Sequence, residues 1–481
     1  MASGKIPVAI AHGDGIGPEI MEAALFVLNE AGANLEYHPV EIGEKCYLAG
    51  HNTGMAPETW DILRSTQAFL KAPITTPQGG GYKSLNVTIR STLGLYANVR
   101  PCASFPPFVK TKHPKMDVVI VRENEEGLYM GIEYRQTPQV CSSLKSISRP
   151  GTEKIVRFAF EYARAQGRKK VTCFTKDNIM KLSDGLFHKI YDEIAAEYSD
   201  IENEHWIIDI GTAKLADTPE LFDVLVLPNL YGDILSDVAA QITGSVGLGG
   251  SANIGDRGAM FEAIHGSAPT RAGKNSANPS GIILASVQML NYLGEHNVAE
   301  RIHNAWLKTI EEGIHTNDIF SKEHSKESVG TKEFAHAVAK FLGEKPQKLK
   351  AVSYEGKKKI EALAAKAPIE ESRHCIGTDI YVYSKVDPEA LQKKLASVST
   401  PLKLKLITNR GAKVWPEGQP ETFCIDQFRL RYAKVDKGQT ATPDEVLDTL
   451  KALSDEGFDI FKTENIYLFD GKPSFSTPEV Y

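Results

Sequence analysis

The sequence predicts an α/β protein with a largely parallel core sheet, followed by a small C-terminal α+β domain. In the first 340 residues, short β-branched runs alternate with amphipathic stretches, which is the pattern of strands and helices in an α/β architecture. Residues 343–372 are charged and lysine-rich with few large apolar side chains, so they are expected to form a linker or an exposed helix. Beyond residue 372 the pattern of strands and helices restarts.

The expected elements differ between the two parts of the chain. In the first part, strands are expected at residues 7–11, 117–121, 170–174 and 223–226, and helices at 18–31, 153–165 and 185–197. In the last part, strands are expected at 379–383, 402–408, 427–433, 459–462 and 465–469, and helices at 388–397 and 443–454. The last part therefore reads as two βαβ-like halves, which favours a ferredoxin-like α+β domain.

Composition narrows the class of protein. The net charge of −6 gives no overall attraction to nucleic acid or to an anionic membrane, so an anionic substrate would need a local basic pocket. No apolar run is long enough to span a membrane, and the N-terminus does not resemble a signal peptide. The six cysteines lack CxxC spacing and are expected to be free thiols in a reducing compartment. We expect a soluble cytoplasmic protein that binds neither nucleic acid nor membrane.

The glycine-rich segment GDGIGPE, residues 13–19, follows the first expected strand and opens a helix. Its glycines lie at positions 13, 15 and 17, which does not match the GxGxxG spacing of a dinucleotide-binding turn. A tight strand-to-helix turn would need the same glycines. Cofactor binding and a purely structural turn therefore both remain open for this segment.

A group of arginines and small polar residues suggests a carboxylate-binding pocket. A triple glycine at 79–81 precedes Ser84, Asn86 and Arg90, and Arg100 follows ten residues later. Arg122 lies in the segment RENEEGLY, which ends at Tyr129. Guanidinium groups pair bidentately with carboxylates. Each arginine alone would be read as a surface charge, but the set together favours binding of several carboxylates.

Acidic residues suggest a divalent-metal site. Asp233 and Asp237 are spaced i, i+4 on a helix expected to begin after a turn at Tyr231–Gly232, so both carboxylates share one face. Asp209 is expected to end a separate apolar strand, and Lys176 lies just past a strand. Carboxylate oxygens suit magnesium or manganese. An ordinary helix start with two solvated acids explains the aspartates equally well, and a lone lysine is usually a surface residue.

Taken in chain order, GDGIGPE, SLNVTIR, the arginine of ANVRP, RENEEGLYMGIEY, KDNIMK, NLYGDILSD, GSANIG and HGSAP resemble the isocitrate dehydrogenases of the isocitrate/isopropylmalate dehydrogenase family. The resemblance runs from about residue 5 to 340 and is closest to a long bacterial form with a C-terminal extension. It implies a two-domain core that is not a standard Rossmann fold. The implied divisions are a large domain at 1–95 and 244–342, a small domain at 96–243 with a clasp segment near 127–152, a linker at 343–372, and a C-terminal α+β domain at 373–481.

The resemblance also implies roles for individual residues. Tyr129 and Lys176 would be the proton-transfer pair. The metal ligands would be Asp209, Asp233 and Asp237, with Lys176 and Asp209 entering the site from the second subunit of a homodimer. The substrate pocket would consist of Ser84, Asn86, Arg90, Arg100 and Arg122. The cofactor contacts would be Thr76, Asn178, Asn229, Glu262, His265, Gly266, Thr270, Arg271, Asn278 and Lys332.

The activity implied is the oxidative decarboxylation of isocitrate to 2-oxoglutarate and CO2, a step of the tricarboxylic acid cycle, with Mg²⁺ or Mn²⁺ and NADP or NAD. Polar Ser84 and Asn86 suit a third carboxylate better than an apolar substrate tail, because an unpaired donor there would cost about 1–3 kcal/mol. Isopropylmalate or homoisocitrate dehydrogenase remains an alternative, as does a non-catalytic metabolite-binding protein.

The cofactor preference depends on the pair Thr270–Arg271, which departs from both the NADP and the NAD pattern of the resembling enzymes. No acid is present there to repel a 2′-phosphate, and Arg271 can pair with one. Lys332 and His336 fall near positions where NADP-using forms add contacts. We therefore predict NADP over NAD. For the C-terminal domain, a regulatory ligand-binding module and a reinforcement of the dimer both remain open.

Overall fold

A computed structural model describes residues 4–76, 84–356, 360, 370–435 and 439–477. The triple glycine at 79–81 and residues 361–369 of the expected linker lie outside the described residues. The chain divides into two compact units, Met1–Met130 with Lys145–Ala365, and Gly131–Leu144 with Lys366–Tyr481. In the part of the chain that the structure describes, no helix is both long and apolar enough to cross a membrane.

The strands are β1 (Ile6–Ala11), β2 (Leu35–Pro39), β3 (Ala68–Lys71), β4 (Ala97–Ala103), β5 (Asp117–Glu123), β6 (Glu133–Arg135), β7 (Cys141–Ser143), β8 (Lys170–Thr175), β9 (Glu202–Ile207), β10 (Val224–Leu227), β11 (Gly250–Ile254), β12 (Ala259–Ala263), β13 (Ile314–Thr316), β14 (Glu327–Val329), β15 (Arg373–Tyr383), β16 (Lys403–Asn409), β17 (Ala412–Trp415), β18 (Gln427–Ala433), β19 (Asp459–Phe469) and β20 (Lys472–Pro473). The α-helices are α1 (Gly17–Glu30), α2 (Glu44–Leu48), α3 (Thr59–Ser65), α4 (Leu85–Leu93), α5 (Arg149–Gln166), α6 (Ser183–Ala195), α7 (Ile208–Asp217), α8 (Asn229–Ile242), α9 (Ser280–Tyr292), α10 (His296–Glu311), α11 (Thr331–Lys340), α12 (Pro388–Ala396) and α13 (Pro443–Asp455).

The first unit is built on a ten-stranded sheet with the order β2-β1-β3-β12-β11-β4-β5-β10-β8-β9. Two parallel groups, β2-β1-β3-β12 and β5-β10-β8-β9, are joined through the antiparallel strands β11 and β4. The predicted α/β class and largely parallel sheet are confirmed. The antiparallel centre was not predicted. Only residues 255–258 separate β11 from β12, and a connection this short forms a hairpin, because parallel neighbours need a long crossover.

The structure corrects two local interpretations at the aspartates predicted to bind a metal. Helix α8 begins at Asn229, so Tyr231 and Gly232 belong to its first turns and do not form a turn before it. Asp209 lies in the first turn of α7 and not at the end of a strand. Glycine is a poor helix former, which suggested a turn. Glycine occurs at position 232 within the helix because of packing, since a Cβ atom there would lie 2.6 Å from Cγ of Arg122.

From residue 373 the second unit has the element order β15-α12-β16-β17-β18-α13-β19-β20. Without the short strands β17 and β20, this is the βαββαβ order of a ferredoxin-like domain. Its antiparallel sheet has the order β17-β16-β18-β15-β19-β20. The predicted α+β class is confirmed, although the strands expected at 459–462 and 465–469 form the single strand β19. The β6–β7 hairpin belongs to this unit, and the Thr137 hydroxyl donates a 2.7 Å hydrogen bond to Asp426.

Residues 343–356, expected to be linker or exposed helix, form part of the first unit without a helix or strand. The carboxylate of Glu311 accepts the backbone N–H groups of residues 347–349. Asn304 donates to the carbonyl of Val352 and accepts its N–H, each at 3.0 Å. Val352 and Tyr354 pack on the main core. The sequence pattern did not indicate that this segment packs on the core, because it has few apolar residues and is held mostly through its backbone hydrogen bonds.

Candidate active site

A cavity of about 200 Å³ lies in the first unit and contains every residue predicted to bind substrate carboxylates. Tyr129 and Asp233 line it as well. The complete lining consists of Lys71, Pro73, Ile74, Ser84, Asn86, Val87, Arg90, Arg100, Arg122, Tyr129, Asp233, Glu262, Ala263, Ile264, His265 and Gly266. Segments separated by almost 200 residues in the sequence therefore meet in one place.

Strands β4 and β5 and helix α4 direct the three arginines to the cavity. Asn98 pairs with Arg122 across β4 and β5, so Arg100, two residues along β4, lies on the same face of the sheet as Arg122. Arg90 lies on α4, one turn after Asn86. All three arginine side chains are at least 93% buried, since their exposed fractions are 7% for Arg90, 5% for Arg100 and 1% for Arg122.

The cavity is positively charged although the whole chain is acidic. Four cationic residues line it, Lys71 with the three arginines, against the two carboxylates of Asp233 and Glu262. Burial, together with the neighbouring Arg90 and Arg100, lowers the pKa of Arg122 to about 9. A shift in that direction means that the guanidinium gains from a nearby negative charge. This is the local basic pocket that an anionic substrate requires in a chain of net charge −6.

Several buried polar atoms around the cavity have no hydrogen-bond partner among the described residues. They are Oδ1 of Asn86, Nε of Arg90, Nε of Arg100, Nδ2 of Asn229 and Nε2 of His265. Leaving such a group unpaired costs on the order of 1–3 kcal/mol. The clustering of unpaired donors and acceptors around a single cavity indicates that a polar ligand completes it.

A buried ion-pair group in the lining of the cavity fixes Arg90. The Glu262 carboxylate lies 2.7 Å from Nζ of Lys71 and 2.9 Å from Nη2 of Arg90, and it accepts a 2.9 Å hydrogen bond from Asn253. Burial raises the pKa of Glu262, but Lys71 and Arg90 outweigh burial and hold that pKa well below its usual range. The carboxylate predicted to contact the cofactor is therefore occupied by three protein donors. Lys71 was missed because its only signal is a position at the end of the buried strand β3.

Asp233 is the centre of a second polar network in the lining of the cavity. Its carboxylate accepts hydrogen bonds from Arg122 and from the Tyr129 hydroxyl, and the Arg122 guanidinium lies 4.7 Å from the Tyr129 ring centre. Burial acts to raise the pKa of Asp233, but Arg122 and Arg100 together hold it below the usual value. Burial and the hydrogen bond to Asp233 raise the pKa of Tyr129. At neutral pH the site therefore pairs a carboxylate with a protonated phenol.

Arg100 lies close to both aspartates of α8. Its guanidinium nitrogens are 3.7 Å from Asp233 and 3.5 Å from Asp237. The two carboxylates are therefore one helical turn apart beside a cation, and the Asp237 side chain is 64% exposed. Oxygen donors with an open side fit Mg²⁺ or Mn²⁺. Two carboxylates supply only part of such a site.

Lys176 and Asp209 do not line the cavity and pair with each other. Nζ of Lys176 lies 2.6 Å from the Asp209 carboxylate, whose side chain is 67% exposed. The hydrogen bond from Lys176 holds the pKa of Asp209 below its usual value. Asn178, on the same loop, is exposed as well. Within one chain, therefore, the predicted proton-transfer pair and the predicted metal ligands are divided between two places.

The fully buried Asp184 connects these two places. It accepts hydrogen bonds from the backbone N–H of Lys176 at 2.8 Å and from the Tyr231 hydroxyl at 3.1 Å, and it forms an ion pair with Lys145. Tyr231 lies on α8 between Asn229 and Asp233. Asp184 was missed by sequence reasoning because nothing in a local pattern marks an acid as buried.

The GDGIG segment holds two loops beside the cavity together. The Asp14 carboxylate accepts the N–H of Thr75 at 2.8 Å, and the N–H of Ile16 donates to the carbonyl of Ser267 at 2.8 Å. Gly15 has φ +60°, and a Cβ atom there would collide with the Ser267 carbonyl oxygen. Of the two interpretations left open, the structural turn explains these glycines. The turn brings the HGSAP loop against the segment that leads to Thr76, which is exposed.

Of the remaining predicted cofactor residues, some are hydrogen-bonded to other side chains and some are exposed to solvent. Asn229 binds Arg122 through its Oδ1, and Asn278 donates to Asp318 at 3.0 Å and accepts the N–H of Ser280. Thr270 and Arg271 are exposed in a 3₁₀ turn at Pro269–Arg271, Gly266 is exposed, and Lys332 is exposed at the start of α11. Asn275 accepts the N–H of Lys332 at 3.0 Å, and this bond ties the Arg271 loop to α11.

Two protein-family models match the chain. The isocitrate/isopropylmalate dehydrogenase family matches residues 7–338, and the bacterial isocitrate dehydrogenase C-terminal domain matches residues 373–479. The chain is 52% identical to the isocitrate dehydrogenase (NADP) of Rickettsia bellii over 98% of both chains. It is 43% identical to that of Thermus thermophilus, covering 99% of this chain and 96% of the relative.

Solved structures show the same relationship. The TT0538 protein of Thermus thermophilus superposes with a TM-score of 0.92 at 42% identity, covering 99% of this chain and 97% of that chain. The isocitrate dehydrogenase of Methylococcus capsulatus has a TM-score of 0.67 at 42% identity and covers 70% of this chain and 99% of its own. As its motifs predicted, the chain belongs to the isocitrate/isopropylmalate dehydrogenase family and carries the C-terminal domain of the bacterial isocitrate dehydrogenases.

Proposed function

We propose that this protein catalyses the metal-dependent oxidative decarboxylation of isocitrate to 2-oxoglutarate and CO2 with reduction of NADP. The observation that carries the proposal is the convergence of three buried arginines, Tyr129 and Asp233 on one cavity. The relatives that match almost the whole chain are isocitrate dehydrogenases that use NADP, which supports the same reaction.

The cavity suits a substrate with three carboxylates. The unpaired Nε atoms of Arg90 and Arg100 and the positively charged Arg122 provide three guanidinium groups for three carboxylates. Ser84 and Asn86 add hydrogen-bonding side chains where an isopropyl group would need apolar contacts. Such a group would leave the Asn86 amide unpaired, at a cost of about 1–3 kcal/mol. Isocitrate therefore fits this cavity better than isopropylmalate.

We assign the divalent metal to Asp233 and Asp237 of one subunit and Asp209 of the partner in a homodimer. The separation of Asp209 and Lys176 from the cavity within one chain supports a site shared between subunits. A bound Mg²⁺ or Mn²⁺ supplies Lewis-acid stabilisation of negative charge on the substrate oxygens. The carboxylates of this chain hold it, while Arg100 and Arg122 neutralise the excess negative charge of Asp233.

Tyr129 is the general acid in this proposal, and Lys176 of the partner subunit relays the proton. The raised pKa of Tyr129 keeps its hydroxyl protonated at neutral pH, so it can deliver that proton to the substrate carbon left after CO2 departs. The hydrogen bond to Asp233 fixes the direction of the Tyr129 hydroxyl. Replacing Tyr129 by Phe is expected to lower kcat about 100-fold or more with a smaller change in KM.

The substrate assignment is tested by measuring reduction of NADP by the purified full-length protein with isocitrate, isopropylmalate and homoisocitrate. We expect Mg²⁺- or Mn²⁺-dependent turnover with isocitrate that exceeds the other two acids by at least about 100-fold in kcat/KM. Faster turnover of isopropylmalate would contradict the substrate assignment. Absence of turnover with all three acids would indicate a metabolite-binding protein without catalysis.

The cofactor assignment depends on Arg271, whose exposed guanidinium is available to the 2′-phosphate of NADP. Replacing Arg271 by Ala is expected to raise KM for NADP by about 10-fold or more and to leave KM for NAD nearly unchanged. Arg257, an exposed arginine in the connection between β11 and β12, provides the matched control in the Arg257→Ala variant. An equal effect of Arg271→Ala on both cofactors would contradict the assignment.

The shared site is tested by combining two inactive variants, Asp233→Asn and Lys176→Met. If each active site takes Asp233 from one subunit and Lys176 from the other, half of a randomly assembled population consists of mixed dimers. One of the two sites in each mixed dimer is intact, so about a quarter of wild-type activity is expected. No recovery in dimers shown by mass to be mixed would place both residues in the same chain's site.

A further inference from the structure

A cluster of metal-ligating side chains lies outside the cavity, at Asp177, His188 and His205. These residues each offer one ligand atom, and the three atoms lie within 4.8 Å of one another. We propose that this cluster binds a divalent transition-metal cation of the zinc type, separate from the magnesium site formed by the aspartates of α8.

Three different elements bring the ligands together. Asp177 follows the end of β8, His188 lies on α6, and His205 lies on β9, the neighbour of β8. Nδ1 of His188 is 2.6 Å from the Asp177 carboxylate, and the two imidazole rings stack with centres 3.5 Å apart. Convergence of ligands from two strand ends and one helix is the arrangement in which a cation links elements that sequence places apart.

The spacing is close to what a tetrahedral site needs. Zinc binds imidazole nitrogen and carboxylate oxygen at about 2.0–2.2 Å, which puts tetrahedral ligand atoms about 3.4 Å apart. The three ligand atoms lie within 4.8 Å of one another, and because imidazole lone pairs lie in the ring plane, the two stacked rings must turn about their side-chain torsions to face one ion. Three protein ligands leave a fourth position for water.

The surroundings of His205 favour binding of a cation by its imidazole. The Thr175 hydroxyl lies 2.8 Å from Nε2 of His205, and such outer partners orient ligating imidazoles. Burial and the neighbouring His188 lower the pKa of His205, so that ring is neutral at pH 7 and offers a lone pair. The His188 and Asp177 side chains are 26% and 21% exposed, so an ion can reach them.

The chemical class of the ion follows from the ligands. Two imidazoles and one carboxylate select borderline ions such as Zn²⁺, Co²⁺ or Ni²⁺, whereas an all-carboxylate set selects Mg²⁺ or Mn²⁺. Asp177 adjoins Lys176, so an ion bound here would brace the loop from which Lys176 extends.

The site is tested by calorimetric titration of the full-length protein with Zn²⁺ in the presence of saturating Mg²⁺ and isocitrate, which occupy the aspartate site. We expect one Zn²⁺ per chain, with affinity reduced about 100-fold or more in His188→Gln and in His205→Gln, because loss of even an outer partner costs about 10- to 100-fold. The matched control is His324→Gln. That histidine is exposed next to Glu323, outside the cluster, so Zn²⁺ binding should be unchanged.

Co²⁺ provides an independent measurement, since its visible absorption reports tetrahedral nitrogen coordination. We expect that absorption in the wild type and its loss in both cluster variants, while Mg²⁺-dependent turnover shows that the variants remain folded. Equal Zn²⁺ affinity in the wild type and the cluster variants would overturn the proposal. Binding lost in Asp237→Asn but kept in His188→Gln would assign the ion to the aspartate site and overturn it as well.

Discussion

Removing the charge of Glu262 is the sharpest test of how the arginine cavity is built. In Glu262→Gln, one carboxylate oxygen becomes an amide NH2 group. Either Lys71 at 2.7 Å or Arg90 at 2.9 Å then faces a donor in place of an acceptor. The exposed fractions are 0% for Lys71 and 7% for both Arg90 and Glu262, so water cannot replace the lost partner. Breaking a buried pair in this way costs about 3–5 kcal/mol.

The measurement is equilibrium unfolding in urea, compared with Asp256→Asn. Asp256 pairs with Lys154 at 2.8 Å, but the two side chains are 42% and 32% exposed, so its loss is expected to cost less than about 1 kcal/mol. KM for isocitrate should also rise in Glu262→Gln, because Arg90 loses the contact that directs it. Unfolding free energies for Glu262→Gln and Asp256→Asn within about 1 kcal/mol of each other would refute the buried ion-pair argument.

The pH dependence of this effect has a defined sign. Lys71 and Arg90 hold the pKa of Glu262 below its ordinary value of 4.5. The stabilisation from this carboxylate is therefore fully present above about pH 4.5 and is lost only as the pH falls further, through the folded-state pKa. The difference in unfolding free energy between wild type and Glu262→Gln should consequently stay constant from pH 6 to pH 9.

Three other predictions concern single side chains. Burial raises the pKa of Glu123 from 4.5 to about 7, so the free energy of unfolding of the wild type should fall by up to about 3 kcal/mol as the pH rises between those values. Urea unfolding at pH 5 and pH 8 should show that this decrease is absent in Glu123→Gln. Gly232→Ala, which would normally favour a helix, should instead displace Arg122 and raise KM for isocitrate about 10-fold or more; an unchanged KM would contradict the packing. Asp184→Asn should lower kcat by loosening Lys176, and unaltered kinetics would exclude a positioning role.

Much of the fold follows from local patterns in the sequence. The strands expected at 7–11 and 117–121 correspond to β1 (Ile6–Ala11) and β5 (Asp117–Glu123), and the strand expected at 427–433 corresponds to β18 (Gln427–Ala433). Runs of β-branched residues and amphipathic spacing record how each segment is buried, so they can be read without knowing the neighbouring segments. The start of α8 was predicted too late because the packing of Gly232 against Arg122 is not a local property.

The candidate site depends on contacts between distant residues. The sequence and its resemblance to known dehydrogenases identified the arginines, Tyr129 and the aspartates as a set. Neither indicated that Glu262, 172 residues after Arg90, would hold that arginine, nor that Asp184 would connect Lys176 with α8. An acid buried in an ion pair and an acid bound to cofactor or solvent have the same letter in a sequence.

The sequence alone determined the α/β class and the separate C-terminal α+β domain, because periodicity and composition are local. It also predicted the residue set proposed to bind carboxylates. Only the tertiary structure decided that three arginines share one cavity, that the centre of the core sheet is antiparallel, and that Lys176 and Asp209 stand apart from that cavity within one chain. Those features result from the pairing of strands and the burial of charges far apart in the sequence, and such pairing is settled by the free energy of the whole fold.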